Sequence, residues 1–196
     1  MEEYKTEDYI VDGDHTPWKG HSTVILLKEY EQYISGNVLD IGCNTGGVTY
    51  WLTKNEKVTS ITGVDININV KEGFEKNFSG VTIPYKFVCA NLVETKMNEE
   101  VYDTAISFHC IEHILEKHIS AFISNATVGL KSGGHFLVSI PYMKEYEDPH
   151  HRAFYDEKQL KDIMEMNNFI TIRCDHVERD PRWREKHLII AMFVKK

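Results

Sequence analysis

Two groups of residues in this chain have the types and spacing that chemistry requires. The first is the run Gly42-Cys43-Asn44-Thr45-Gly46-Gly47, followed some distance on by Asp65. Glycines let a chain reverse tightly after a strand, and they open a helix whose N–H groups face a ligand. An acid that closes the next strand accepts hydrogen bonds from both hydroxyls of a ribose, so turn and acid together specify a nucleoside-type cofactor. The second group is rich in histidine: His109-Cys110-Ile111-Glu112-His113, and later Asp148-Pro149-His150-His151-Arg152. Imidazole titrates near neutrality, which suits it to take a proton from an acceptor.

The meaning of both groups depends on the elements that carry them. Residues 1–20 are polar and aromatic without a period and read as a lid, with Trp18 flanked by His15 and His21. From Ser22 to Tyr33 the apolar spacing predicts an amphipathic helix, with Gly36 as its C-cap. Asn37–Ile41 reads as a strand that leads through the glycine turn into a helix at Val48, Tyr50, Trp51 and Leu52. The alternation continues: strand Ser60–Asp65, helix 68–78, strands Tyr85–Cys89 and Tyr102–Phe108, helix 116–130. A turn at Ser132-Gly133-Gly134 then enters strand His135–Ile140, and a helix follows at 156–167. Phe169–Val177 and Leu188–Val194 pair as a C-terminal antiparallel hairpin. The pattern predicts an α/β fold, a doubly wound, mostly parallel seven-stranded sheet of Rossmann-like type, with ligands at the carboxyl ends of the strands. Residues 1–35 form the lid and first helix, and 36–196 one compact binding domain.

Composition limits the partners. Thirty acidic residues against 22 basic ones give a net charge of −8, which argues against nucleic acid. The apolar runs are too short and interrupted for a membrane span. The N-terminus lacks a secretory pattern, so cytoplasmic residence is expected. The four cysteines form no Cys-x-x-Cys pair, and reduced thiols are the simplest reading.

Four segments, Val38-Leu39-Asp40-Ile41-Gly42-Cys43, Gly63-Val64-Asp65, Tyr102–Ser107 and Leu130–Val138, resemble in order and spacing the successive motifs of class I S-adenosylmethionine-dependent methyltransferases. The resemblance covers residues 36–194. It implies S-adenosyl-L-methionine as cofactor and a small-molecule acceptor. Asp40, Gly42, Cys43 and Asn44 would hold the methionine portion and Asp65 the ribose. Ile66 would flank the adenine, Asn91 would meet its amino group, and Phe108 would cover the sulfonium side. Two positions depart from the family pattern. Asn44 replaces a glycine, though asparagine also visits positive φ; Asn91 replaces an acid, though its amide oxygen still accepts a hydrogen bond. The same asparagine removes the middle glycine of Gly-x-Gly-x-x-Gly and so argues against a dinucleotide.

The histidine groups then flank the transferred methyl, and His113, His109 and His151 are the catalytic candidates. A hydroxyl acceptor must lose its proton, so methylation of oxygen with histidine assistance is the expected reaction. No metal is expected in this reading. One alternative joins His109, Glu112, His113 and His151 into a cation site, as in metal-dependent methyltransferases of sugar or RNA 2′-hydroxyls, which this quartet resembles. Another is a non-catalytic S-adenosylmethionine-binding module. The bare pattern His-x-x-Glu-His also matches a zinc protease motif, but that motif belongs on a helix and here it follows a strand.

Overall fold

The computed structural model describes residues 27–99, 101–142, 150–178 and 187–196. The expected lid and the pair Asp148-Pro149 lie outside them. Seven strands form one sheet in the order β3-β2-β1-β4-β5-β7-β6. They are β1 Gly36–Ile41, β2 Val58–Asp65, β3 Tyr85–Cys89, β4 Tyr102–Phe108, β5 Leu130–Pro141, β6 Phe169–Glu178 and β7 His187–Lys195. Strands β1 to β5 pair in parallel, and β7 runs antiparallel to both β5 and β6. The helices are α1 Thr49–Leu52, α2 Lys71–Asn77, α3 Glu116–Thr127 and α4 Glu157–Met166. None among the described residues is long and apolar enough to cross a membrane.

Both faces of the sheet are covered, because successive strand residues point to opposite sides. Leu39, Ala105, Phe136 and Val138 pack on one face with Phe122 and Ile123 of α3 and Leu160 and Met164 of α4. Val38, Ile106 and Leu137 pack on the other with Leu52 of α1, Phe74 of α2 and the N-terminal Leu27 and Tyr30. Each large side chain buried in this way contributes roughly 1.5–3 kcal/mol. Helix α4 starts where the sequence gives it a capping box: Gln159 N–H donates to Asp156 Oδ1 at 2.8 Å, and Asp156 N–H donates to Gln159 Oε1 at 2.9 Å.

Three expectations change. Gly36 is the first residue of β1 and not a helix cap; the preceding helical turn at 27–30 passes into a 3₁₀ turn at Glu31–Tyr33 and stops there. At φ 68° a Cβ on Gly36 would lie 2.3 Å from the Asp103 carboxylate. Ser132-Gly133-Gly134 is not a turn before β5 but an irregularity inside it: the register with β4 jumps from Tyr102↔Leu130 to Thr104↔His135, with Gly133 at φ 75°. The helix after the glycine turn begins only at Thr49 and has four residues.

Gly63 shows how closely α2 lies on β2. A Cβ there would stand 2.6 Å from the Phe74 ring and 2.8 Å from Cys43 Sγ. Gly63→Val should therefore destabilise the fold by about 1–3 kcal/mol through overpacking. The chemical-denaturation midpoint reads this, and an unshifted midpoint would mean that α2 yields without cost.

Candidate active site

The sheet order reverses between β1 and β4, so their outgoing turns diverge and leave a cleft at the carboxyl ends. It encloses about 150 Å³. Gly42 and Asn44 line it from the β1 turn, Asp65 from the end of β2 and Ile66 just after it, Ala90 to Val93 from the segment after β3, and His109, Cys110 and His113 from the segment after β4. Ile114 and Phe122 complete an apolar wall.

The β1 turn is held by three constraints. Gly42 has φ 73°, and a Cβ on it would strike Cys110 Sγ at 2.5 Å. Asn44 takes φ 48°, the left-handed conformation that its residue type tolerates. Its N–H donates to Asp65 Oδ2 at 2.9 Å, while Asn67 N–H donates to Asp65 Oδ1 at 2.9 Å. The ribose candidate is therefore fixed across the cleft floor by backbone amides. Burial raises the Asp65 carboxyl above its ordinary range, and the amide donors from Asn67 and Asn44 partly oppose this. Asp40 is deeper, at 4% exposure, and accepts a hydrogen bond from the Thr49 hydroxyl. Burial, then the charge of Asp65, holds its carboxyl well above the usual range. Burial likewise pushes up the thiols of Cys43 and Cys110.

The opposite wall is a turn of unusual backbone. His109 follows β4 at φ 51°, a left-handed conformation uncommon outside glycine, though histidine, like asparagine and aspartate, adopts it more often than most, and one that clusters at functional sites. Its N–H donates to the Ser139 carbonyl of β5 at 2.9 Å. A 3₁₀ turn, Ile111–His113, then buries the Glu112 side chain to 2% exposure and leaves His109 Nδ1 3.5 Å from Glu112 Oε1. The segment before α4 is stitched to this turn. Arg152 and Ala153 N–H groups both donate to the Glu112 carbonyl, at 2.7 and 3.1 Å, and His113 Nδ1 lies 3.0 Å from the His150 carbonyl. This places the His113 and His151 rings 5.0 Å apart. The zinc-protease pattern fails here on geometry, since no helix carries the two histidines.

The structure thus gathers seven of the sequence candidates around one cleft: Gly42, Asn44, Asp65, Ile66, Asn91, His109 and His113. Asp40 and Cys43 lie behind the turn, both buried. Phe108 does not line the cleft; strand alternation sends it to the opposite face, beside Ile106 and Val38. The Oδ1 of Asn91 already accepts the Val93 N–H at 3.0 Å, which leaves one lone pair for a further donor. His151 reaches the site through Glu112 and His113. Sequence reasoning passed over the apolar wall of Ala90, Leu92, Val93 and Phe122, whose residues come from two elements with no motif to link them. It also gave Glu112 little weight, and the one local signal was an acid between two histidines.

A family model described as a methyltransferase domain matches residues 26–173. The chain is 26% identical over 102 residues to phosphoethanolamine N-methyltransferase 3 of Arabidopsis thaliana, a match covering 52% of this chain and 20% of that relative. It therefore spans about a fifth of that relative's length. Among solved structures, the S-adenosylmethionine-dependent methyltransferase from Clostridium acetobutylicum ATCC 824 superposes with a TM-score of 0.69 at 15% identity, covering 94% of this chain and 93% of that one. The Burkholderia thailandensis 1,6-didemethyltoxoflavin-N1-methyltransferase, with 1,6-didemethyltoxoflavin and S-adenosylhomocysteine bound, superposes with a TM-score of 0.69 at 18% identity, covering 89% of this chain and 76% of that one. At these identities the structural likenesses show the fold.

The raised Asp40 carboxyl has a consequence for stability. A group with a higher pKa folded than unfolded takes up a proton on folding; its stabilisation is complete below the ordinary carboxylate range and is lost as pH rises through the raised value. Asp40→Asn keeps an oxygen for the Thr49 hydroxyl but carries no charge. It should raise the melting temperature of the ligand-free protein at pH 8, with a gain that shrinks as pH falls toward the ordinary carboxylate range. Scanning calorimetry across pH tests this, and a lower melting temperature at pH 8 would contradict it.

Proposed function

The chain belongs to the class I S-adenosylmethionine-dependent methyltransferases and uses S-adenosylmethionine as its cofactor, and from that premise we propose that it methylates a hydroxyl oxygen of a small-molecule acceptor with histidine assistance. The observation that carries this reading is the shared cleft: His109 and His113 line the same space as Gly42, Asn44 and Asp65. The residues fit the cofactor. Gly42 and Asn44 bring backbone to the cleft at positive φ, where a side chain on Gly42 has no room. Asp65 offers the ribose a carboxylate already oriented by two amides. Ile66 and the apolar wall suit the flat faces of an adenine, and the amide of Asn91, which lines the same cleft, would meet the ring's amino group. Asp40 and the turn it braces hold the methionine portion.

The bound cofactor supplies a methyl group made electrophilic by its sulfonium, and leaves as a thioether. The chain's work is to align the acceptor oxygen with that methyl, to exclude water along the wall of Leu92, Val93 and Phe122, and to receive the hydroxyl proton on an imidazole of the turn after β4. With Nδ1 given to the His150 carbonyl, His113 is held in the tautomer that presents Nε2 as its acceptor nitrogen. The net charge of −8 favours an acceptor other than a nucleic acid. A second reading, methylation of an amine, is favoured by the Arabidopsis relative's activity on phosphoethanolamine nitrogen; an amine needs less help to lose its proton.

Two substitutions separate cofactor binding from proton handling. Asp65→Ala should weaken S-adenosylmethionine binding by roughly 1.5–3 kcal/mol, since two hydroxyls lose a charged acceptor. Titration calorimetry on the folded variant measures it, and an unchanged dissociation constant would remove Asp65 from the site. His113→Ala should slow single-turnover methylation of a hydroxyl acceptor by about 10²- to 10⁴-fold with cofactor affinity retained. Acceptors would be drawn from a panel of alcohols and amines, with products identified by mass spectrometry. Products methylated only at nitrogen, at equal rates in wild type and variant, would establish the second reading.

A further inference from the structure

We propose that Glu112, His113 and His151 form a binding site for one divalent transition-metal ion at the edge of the cleft. Each of the three offers one ligand atom, and these atoms all lie within 4.8 Å of one another. Coordination at about 2.1 Å in a tetrahedral arrangement sets donors roughly 3.4 Å apart, so rotation of the two rings by about an ångström completes the set. The carboxylate carries the argument furthest. Glu112 is 2% exposed, and among the described residues neither of its oxygens accepts a hydrogen bond. His109 Nδ1 stands 3.5 Å from Glu112 Oε1. A buried carboxylate in that condition is costly unless a cation compensates it.

The surroundings are those of a metal centre. A ligating histidine typically gives its second ring nitrogen to a carbonyl, which fixes its orientation, and the His150 carbonyl stands 3.0 Å from His113 Nδ1. The two hydrogen bonds to the Glu112 carbonyl from Arg152 and Ala153 clamp the two arms of the site together, so His151 is carried to Glu112 by backbone. Two imidazoles and one carboxylate select Zn²⁺, Mn²⁺ or Co²⁺ over the all-oxygen cations Mg²⁺ and Ca²⁺. Three protein ligands leave coordination positions open. The geometry differs from the sequence-level quartet, because His109 falls outside the three-donor set and sits beside Glu112 instead.

The consequence for catalysis rests on the oxygen-acceptor reading. A hydroxyl that enters an open position on the ion becomes more acidic. With the His113 Nε2 lone pair then engaged on the ion, the proton passes to another base in place of His113, for which His109 is placed in the cleft. The oxygen lone pair forms the new C–O bond as the C–S bond breaks and its electron pair stays on sulfur.

The test is binding of the metal alone to the full chain stripped by chelator and dialysis. Titration calorimetry with Mn²⁺ and the visible spectrum with Co²⁺ should each give one saturable equivalent per chain. Glu112→Gln and His151→Ala should each weaken Mn²⁺ more than about 100-fold, beyond the 10- to 100-fold expected for loss of an outer partner. S-adenosylmethionine affinity should stay near wild type and certify folding; His151→Ala, altering the less buried residue, decides if Glu112→Gln fails to fold. A wild type that binds no stoichiometric Mn²⁺ or Co²⁺, or folded variants that bind them as the wild type does, would overturn the site. If no ion binds and His113→Ala still slows oxygen methylation, the site is overturned while the oxygen reading stands. If the ion binds as described and only nitrogen is methylated, the site is supported and its catalytic role falls with the oxygen reading.

Discussion

Strand β1 is paired on both edges with parallel neighbours, β2 along Asn37–Ile41 and β4 along Val38–Asp40. Parallel strands are joined only by crossovers, and with neighbours placed on both sides the chain must wind outward in opposite directions from this strand. The split between β1 and β4 is what opens a cleft at the carboxyl ends. It also requires β1 to be buried on both faces and both edges, which explains Val38-Leu39-Asp40-Ile41, apolar but for one acid. That acid is buried, and it accepts a hydrogen bond from the Thr49 hydroxyl of the next helix. The glycine turn is thus held between a strand that cannot move and a helix tied back to it.

The two walls of the cleft are built on different principles. On the side proposed for the cofactor the backbone does the holding: amides of Asn44 and Asn67 engage the Asp65 carboxylate, and glycine supplies close approach where Cys110 crowds Gly42. On the other side the holding is long-range, between the turn after β4 and the segment that precedes α4. Three hydrogen bonds through Glu112 and His113 bridge residues separated by a whole helix and strand. Such a wall is fixed only once β5 and α4 are both in place. Its chemistry therefore depends on the complete domain, whereas the cofactor side is nearly complete within the first two strands.

That difference explains what could be read from sequence. The bounds of β3 and β4 were legible to the residue because short apolar runs were flanked by polar loops. The place of Asp65 at the end of β2 followed from strand spacing alone. The gathering of Gly42, Asn44, Asp65, His109 and His113 followed from a general property of open α/β sheets, that strand ends converge. Local pattern could not give what tertiary pairing decides. The irregularity at Ser132-Gly133-Gly134 resembles any glycine turn until β4 pairs on both sides of it. Phe108 belongs to the far face because of where the pleat of β4 falls. The burial of Glu112 comes from a 3₁₀ turn capped by a segment some forty residues on, and sequence periodicity carries no trace of that contact.

The state of the two thiols gains a meaning in a protein that handles a sulfonium methyl donor. A thiolate is among the most reactive side chains toward such an electrophile, while the protonated thiol is nearly inert. Cys110 lines the cleft, Cys43 lies just behind the turn, and burial keeps both protons in place. The desolvation that accompanies burial at this end of the sheet thus also keeps both sulfurs in the protonated form, the form least able to compete with an acceptor for a sulfonium methyl group.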